Sequence, residues 1–178
     1  MKLLKNTRTR QVIPMDEQKS NNVKDKKIKL NIITPRGVKF VENADMIIMR
    51  CIDGDLGILP GHAPISTVLG DGILRVFNDG VEKKLAIFGG IADIGDTTVN
   101  ILSTIAQLPE EIDLERAEKD RKEAEAAIEV KSEELQIQST HILLRRSLVR
   151  IEVSQHLDEN DYYSDDEEEN NEENDEEK

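Results

Sequence analysis

The feature that most constrains the fold is a change of sequence pattern near Pro109. Residues 28 to about 105 alternate short β-branched runs with turn signals such as TPRG, ENAD and NDG. Many short strands separated by turns are typical of a β-sandwich or barrel. From Pro109 to residue 156 the chain has no glycine and is rich in Glu, Ala, Lys and Leu. The sequence therefore predicts an α+β chain, with an N-terminal antiparallel β-sandwich followed by a C-terminal α-helical hairpin.

The helical part shows two apolar stripes with steps of three and four residues. Pro109 suits a first helical turn, and the acidic residues that follow it favour the positive end of a helix dipole. The first stripe comprises Leu114, Ala117, Arg121, Ala124 and Ile128, and the second comprises Ile137, His141, Leu144, Leu148 and Ile151. We expect two antiparallel helices with little core of their own, which need a surface to lie on.

Charge is distributed unevenly along the chain, and this distribution separates four segments. The formal net charge of −13 combines a basic head, residues 1–27, with an acidic tail, residues 157–178. Both ends are too polar to bury a core, and we expect them to be disordered. The sandwich is predicted over 28–106 and the hairpin over 107–156. The head has no apolar run typical of a secretory signal, and the chain has no stretch of about 20 apolar residues that could span a membrane.

Two local patterns support the sandwich. Asn78-Asp79-Gly80 lies between two strand-like runs and is a strong hairpin signal, since Asp and Gly tolerate the positive φ of a tight turn. Cys51, the one cysteine of the chain, excludes an internal disulfide. We interpret it as a small core residue in a strand.

The loop-like stretch DGDLGILPGHAPISTVLGDG, residues 53–72, has the appearance of a functional site. It lacks the Gly-x-x-x-x-Gly-Lys spacing that cradles phosphate. His62 and Ser66 are the pair that a hydrolase would use, but no nucleophile motif surrounds the serine. The three histidines are far apart, so no metal site is predicted. A turn-rich loop with exposed backbone groups suits docking on another protein.

Residues Lys29 to Val153 resemble the epsilon subunit of bacterial and plastid F-type ATP synthases. The resemblance rests on GDLGILPGHAPISTVLGDGILRV, on FGG at 88–90 and on IDLERA at 112–117, in the same order as in the family. It implies a non-catalytic rotor subunit at the foot of the central stalk, peripheral at the cytoplasmic face of the bacterial cell membrane. The implied partners are the gamma subunit and the ring of membrane rotor subunits. The rotor-docking residues are Asp55, Gly57, Pro60, Gly61 and His62, with Asp55 toward the ring and His62 toward gamma.

The resemblance also implies a regulatory hairpin. Folded on the sandwich it permits turnover, and extended into the catalytic alpha/beta hexamer it blocks ATP hydrolysis. The second helix carries Arg145, Arg146 and Arg150, which could then contact acidic segments of the hexamer. The alternative is that these arginines only form a solvent-exposed helix face. The alternative to the whole reading is a stand-alone β-sandwich adaptor with a coiled tail.

Some bacterial relatives bind one ATP through an I/L-D-x-x-R-A motif and arginines of the second helix. Here Asp113, Arg116, Arg146 and Arg150 occupy the matching positions. Relatives that bind ATP well have another arginine seven residues after the motif arginine, where this chain has Glu123. No cofactor is therefore required, and ATP is expected only as a weak regulatory ligand.

Overall fold

The computed structural model describes residues 26–130 and 138–156. Eight strands precede the helices in the described residues. They are β1 Ile28–Thr34, β2 Gly37–Ala44, β3 Met46–Cys51, β4 Gly54–Ile58, β5 Ile65–Asn78, β6 Val81–Ile94, β7 Thr98–Leu102 and β8 Ala106–Gln107. A 3₁₀ turn, Pro109–Glu111, leads into α1, Leu114–Val130. A second helix, α2, is described over residues 138–156. Residues 1–25 of the basic head, the acidic tail and Ile137 lie outside the described residues.

The two longest strands build both layers of the sandwich. The strands follow the order β2-β1-β7-β6-β5-β3-β4, and β8 also pairs with β6. β7 pairs with residues 91–94 of β6, whereas β8 pairs with residues 86–87 of the same strand. One layer therefore holds β2, β1, β7 and the adjoining halves of β6 and β5. The other layer holds β4, β3, β8 and the remaining halves of β6 and β5.

The tight turn between β5 and β6 confirms the predicted hairpin. Asn78 pairs with Val81, so Asp79 and Gly80 form a two-residue connection. Their φ angles are 51° and 83°, the left-handed region that Asp and Gly tolerate. Cys51 is buried at 6 % exposure, as predicted. Apolar side chains that point inward from both layers fill the core, with Leu30, Ile47 and Leu85 among them.

The stretch 53–72 is more regular than predicted. Residues 54–58 form β4, and β5 begins at Ile65. The connection between them is residues 59–64. The prediction of a long loop was wrong because glycines in this stretch lie in strands, where Gly70 and Gly72 allow close contact with β3 and with the stem of Arg50.

The second helix packs on the sandwich through Val153, and the predicted apolar stripe is only partly buried. Val153 is fully buried against Ala86 and Phe88 of β6, with Ile73 and Val149 at the edge of this cluster. Of the predicted stripe, Leu148 is 48 % exposed and His141 is also exposed, whereas Leu144 and Ile151 are half-buried. The buried side chains of α2 are Thr140, Ser147, Val153 and His156. The hydrophobic pattern failed here because small and polar residues occupy the contact face.

The start of α1 lies near the end of α2. Ile112, just before α1, packs in the same apolar cluster as Val153 near the end of α2. This proximity is the arrangement of an antiparallel hairpin. On α1 the predicted stripe is confirmed at Ala117 and Ala124, which are buried, and at Arg121 and Ile128, which are half-buried, but Leu114 is 36 % exposed.

Candidate docking surfaces

The outer face of the layer that contains β7 carries a continuous row of apolar side chains. Strand register places Val38 beside Ile33, Ile33 beside Leu102, Leu102 beside Ile91, and Ile91 beside Val68. Residues directly opposite each other in neighbouring strands lie on the same face of the sheet. We call these five residues the apolar row. Val38, Leu102, Ile91 and Val68 are between 48 % and 67 % exposed.

A polar row runs beside the apolar row on the same face. Asn31 pairs with Asn100, Asn100 with Asp93, and Asp93 with Ser66. The Asn31 side-chain amide donates to Oδ1 of Asn100 over 2.8 Å, and the Ser66 hydroxyl donates to Oδ1 of Asp93 over 2.8 Å. An exposed apolar surface edged by polar groups is typical of a protein-docking site.

The sequence did not single out the apolar row, although it carried a signal. Three strands contain adjacent apolar residues, Ile32-Ile33, Val68-Leu69 and Ile101-Leu102. Successive side chains in a strand point to opposite faces, so each pair places one apolar residue outside. Ile32, Leu69 and Ile101 are buried, and their neighbours face outward.

The predicted rotor-docking residues divide between two places. Pro60, Gly61 and His62 lie in the 59–64 connection, which leads into β5 and thus into the layer of the apolar row. The Gly61 amide donates to the Asp96 carbonyl over 2.9 Å, and Gly61 has a φ of 84°. Nδ1 of His62 donates to the carbonyl oxygen of Ala63 over 2.7 Å. The hydroxyl of Ser66 is bonded to Asp93, so the pair that a hydrolase would need is not formed.

Asp55 and Gly57 lie on β4, an edge strand of the other layer. Nη1 of Arg50 is 2.9 Å from Oδ1 of Asp55, and both side chains are more than half exposed. This pair lines a groove of about 660 Å³ that also borders α2 at Arg145 and Val149. Gly57 has space around it, since no atom lies within 4 Å of where a Cβ would be.

Charged contacts hold α2 on the sandwich. Arg146 donates to both carboxylate oxygens of Asp71, from Nε over 2.7 Å and from Nη2 over 3.3 Å. Nε of Arg150 donates to Oε1 of Gln107 over 2.8 Å. The guanidinium carbons of Arg146 and Arg150 lie 5.4 and 4.6 Å from the centre of the Phe88 ring. Burial lowers the pKa of Arg150, and nearby Arg146 and Arg116 lower it further.

The residues matched to an ATP motif have other partners in this structure. Oδ1 of Asp113 accepts the backbone N–H of Arg116 over 3.0 Å, so Asp113 caps the N-terminus of α1. Arg116 is exposed, and Arg146 and Arg150 contact the sandwich. Oε1 of Glu123 lies 3.8 Å from Nζ of Lys119 in an exposed ion pair.

Two smaller ion pairs lie near the hairpin, one within the sheet and one between the sheet and the 3₁₀ turn. Arg75 donates to Glu82 over 2.5 Å, which lowers the pKa of that carboxyl. Lys39 is bonded to Glu111 in the 3₁₀ turn, and this lowers the pKa of Glu111. Nε2 of His156 lies 2.9 Å from the Glu82 carbonyl oxygen, so the end of α2 is anchored beside the Arg75–Glu82 pair.

Two family models match the chain along these two parts. The model of the ATP synthase delta/epsilon chain β-sandwich domain matches residues 27–109, and the model of the long α-helix domain of the same chain matches residues 110–155. The chain belongs to the ATP synthase delta/epsilon family. Epsilon chains are non-catalytic central-stalk subunits, and the enzyme is the whole complex.

Curated epsilon chains match over nearly their whole length. The ATP synthase epsilon chain of Desulforamulus reducens is 35 % identical over 127 residues, which are 71 % of this chain and 96 % of that one. The epsilon chain of Bacillus velezensis is 36 % identical over 129 residues, 72 % of this chain and 98 % of that one. The predicted resemblance to a bacterial-type epsilon subunit is confirmed.

A solved structure supports the same family. A chain in the cryo-EM structure of the Euglena gracilis mitochondrial ATP synthase, OSCP/F1/c-ring, is 29 % identical with a TM-score of 0.63. The match covers 82 % of this chain and 91 % of that chain. None of the helices in the described part of this epsilon-family chain is long and apolar enough to cross a membrane.

Proposed function

We propose that this chain couples the gamma subunit to the membrane rotor ring in the central stalk of an F-type ATP synthase. The observation that carries the proposal is the apolar row, which crosses five strands on the sandwich face opposite the face that α2 covers. A rotor subunit must transmit torque without slipping, and a wide apolar surface on a rigid sheet suits that task because it packs without local rearrangement. The gamma subunit is the partner that we assign to this face.

The ring contact is assigned to Asp55 on β4. Asp55 lies on the layer opposite the apolar row, so the chain can contact two partners at once. Arg50 lies 2.9 Å from Asp55, and the exposed pair offers both a donor and an acceptor to polar groups of the ring. His62, in the connection that leads into the apolar-row layer, faces gamma in this proposal.

The hairpin is the regulatory part of the proposal. In the docked arrangement described above, α2 lies on the sandwich and leaves the catalytic alpha/beta hexamer free to turn over. In an extended arrangement, Arg145, Arg146 and Arg150 would contact acidic segments of the hexamer and block ATP hydrolysis. Such a switch needs two arrangements with a small free-energy difference. The hairpin suits this because few large apolar side chains of its described residues are buried.

ATP is proposed as a weak regulatory ligand of the hairpin and not as a required cofactor. Arg116 and Arg150 lie near enough to interact electrostatically, and arginines of this kind bind phosphate oxygens. Asp113 already caps a helix and Arg146 already holds a carboxylate, so both would have to exchange partners. We place the chain peripherally, at the cytoplasmic face of a bacterial membrane, through its contacts with the other subunits.

The test is co-expression of the full chain with the gamma subunit of the same synthase. We expect a stable one-to-one complex on size-exclusion chromatography that survives dilution to micromolar concentration. A stand-alone adaptor would elute separately from gamma, and that result would contradict the proposal. A synthase reconstituted without the chain should then lose the coupling between ATP hydrolysis and ion pumping, while its hexamer stays catalytically active.

A further inference from the structure

The contact between Asp71 and Arg146 joins two parts of the chain that the sequence separates by 75 residues. Asp71 lies on the half of β5 that α2 covers, and its side chain is 13 % exposed. The Arg146 side chain is 33 % exposed. The two-pronged geometry, at 2.7 and 3.3 Å, is the strongest form of an arginine–carboxylate pair. Its position under a helix screens it from water more than an ordinary surface pair.

The surroundings of this pair concentrate positive charge. Arg146 and Arg150 both lie against the ring of Phe88, which is 2 % exposed. Arg150 is half-buried; burial lowers its pKa, and the positive charges of Arg146 and Arg116 lower it further. Two buried or half-buried cations side by side are unfavourable unless an anion balances them. Asp71 is that anion on the sandwich, and Gln107 supplies a neutral acceptor to Arg150.

We propose that Asp71 is a built-in anionic latch that holds the hairpin docked without a nucleotide. The carboxylate occupies Arg146, one of the groups that an acidic segment of another subunit or a phosphate would need. Pairing of Arg146 with Asp71 and binding of an external anion by the same groups of Arg146 therefore exclude each other. The latch is a property of the isolated chain. Its consequence for ATP hydrolysis rests on the regulatory role proposed above.

Hydrogen–deuterium exchange of the full-length chain tests the latch. In Asp71→Asn, we expect amides within 138–156 to exchange about three- to tenfold faster, the size expected for losing one partly buried charged pair. Strands β1 and β7, on the other layer, should exchange as in the unmodified chain. Asp93→Asn is the matched control, because Asp93 is a carboxylate on the opposite sandwich face. Unchanged exchange in α2, or an equal rise in β1 and β7, would overturn the proposal.

A double-mutant cycle makes the assignment specific to the pair. Arg146→Gln should raise α2 exchange by about the same factor as Asp71→Asn, and the double variant should show no further increase, since both changes remove one interaction. Multiplied effects in the double variant would mean that the two residues act independently, and would overturn the latch.

The same variant separates the latch from the regulatory proposal. In the assembled synthase, Asp71→Asn should shift the hairpin toward the extended arrangement and lower ATP hydrolysis. Faster α2 exchange together with unchanged hydrolysis would support the latch and contradict the inhibitory role of the hairpin.

Discussion

Gly90 packs directly against the backbone of Leu102, where β6 bends from one layer of the sandwich to the other. A Cβ at this position would collide with the Leu102 carbonyl oxygen and lie 3.0 Å from Cα of Ser103. Gly90 also has a φ of 130°, in a region that side chains disfavour. The bend that creates two layers from one strand therefore depends on a residue without a side chain.

Gly90→Ala should lower the free energy of unfolding by about 2–4 kcal/mol, since backbone strain and overlap with fixed main-chain atoms add together. Urea denaturation of the full chain measures this. Gly57→Ala is the matched control: its backbone is unstrained and its surroundings are open, so we expect a change of about 0.5 kcal/mol or less. Equal effects of the two substitutions would show that the bend tolerates a side chain.

A chain truncated after Leu108 should keep a folded sandwich. The main core contains no residue of α1 or α2, whereas Phe88 and Ala86 lose the cover of Val153. We expect stability to fall by roughly 2–4 kcal/mol from the exposure of this cluster, with stronger binding of a hydrophobic dye. In the assembled synthase, the truncated chain should still couple and should allow faster ATP hydrolysis.

Truncation after residue 156 is the control for that experiment, because it removes the acidic tail and leaves the hairpin. It should change neither the unfolding midpoint nor dye binding. A sandwich that unfolds when only the hairpin is removed would show that α2 is part of the essential core.

ATP should bind the isolated chain with a millimolar or weaker Kd. Asp113 is engaged as a helix cap, Arg146 is held by Asp71, and Glu123 adds a negative charge on α1. Isothermal titration calorimetry measures the affinity. Glu123→Arg should tighten binding about tenfold, equivalent to about 1.4 kcal/mol, and Arg116→Ala with Arg150→Ala should abolish it. Micromolar binding by the unmodified chain would mean that Glu123 lies away from the phosphates.

Much of the architecture could be predicted from local sequence rules. The Asp79-Gly80 pair predicts a tight turn by itself, because few residue pairs tolerate the two positive φ angles that this turn requires. The loss of glycine after Pro109 predicts the change from strands to helices. These features depend on residues that are adjacent in the chain, and their physics is local.

The docking surfaces depend on long-range register and could not be predicted in the same way. From the sequence, Leu102 and Ile91 can be recognised only as strand residues. The pairing of β6 with β7 places them side by side on the outer face. Leu148 was assigned to the buried stripe of α2 by its hydrophobicity. The apolar residue of α2 that is fully buried is instead Val153, because it packs against the Phe88 ring of the sandwich. Arg146 of the same helix binds the carboxylate of Asp71.

The central claim is that the apolar row is the surface that binds the gamma subunit, and the affinity of Ile91→Asp for gamma tests it most directly. Leu143→Asp is the control, since Leu143 is 59 % exposed on α2 and Ile91 is 53 % exposed in the row. With both variants verified as folded by circular dichroism, Ile91→Asp should bind gamma at least tenfold more weakly, as expected for a charge buried at the centre of an interface. Leu143→Asp should bind as the unmodified chain does. Unchanged affinity of Ile91→Asp would contradict the account.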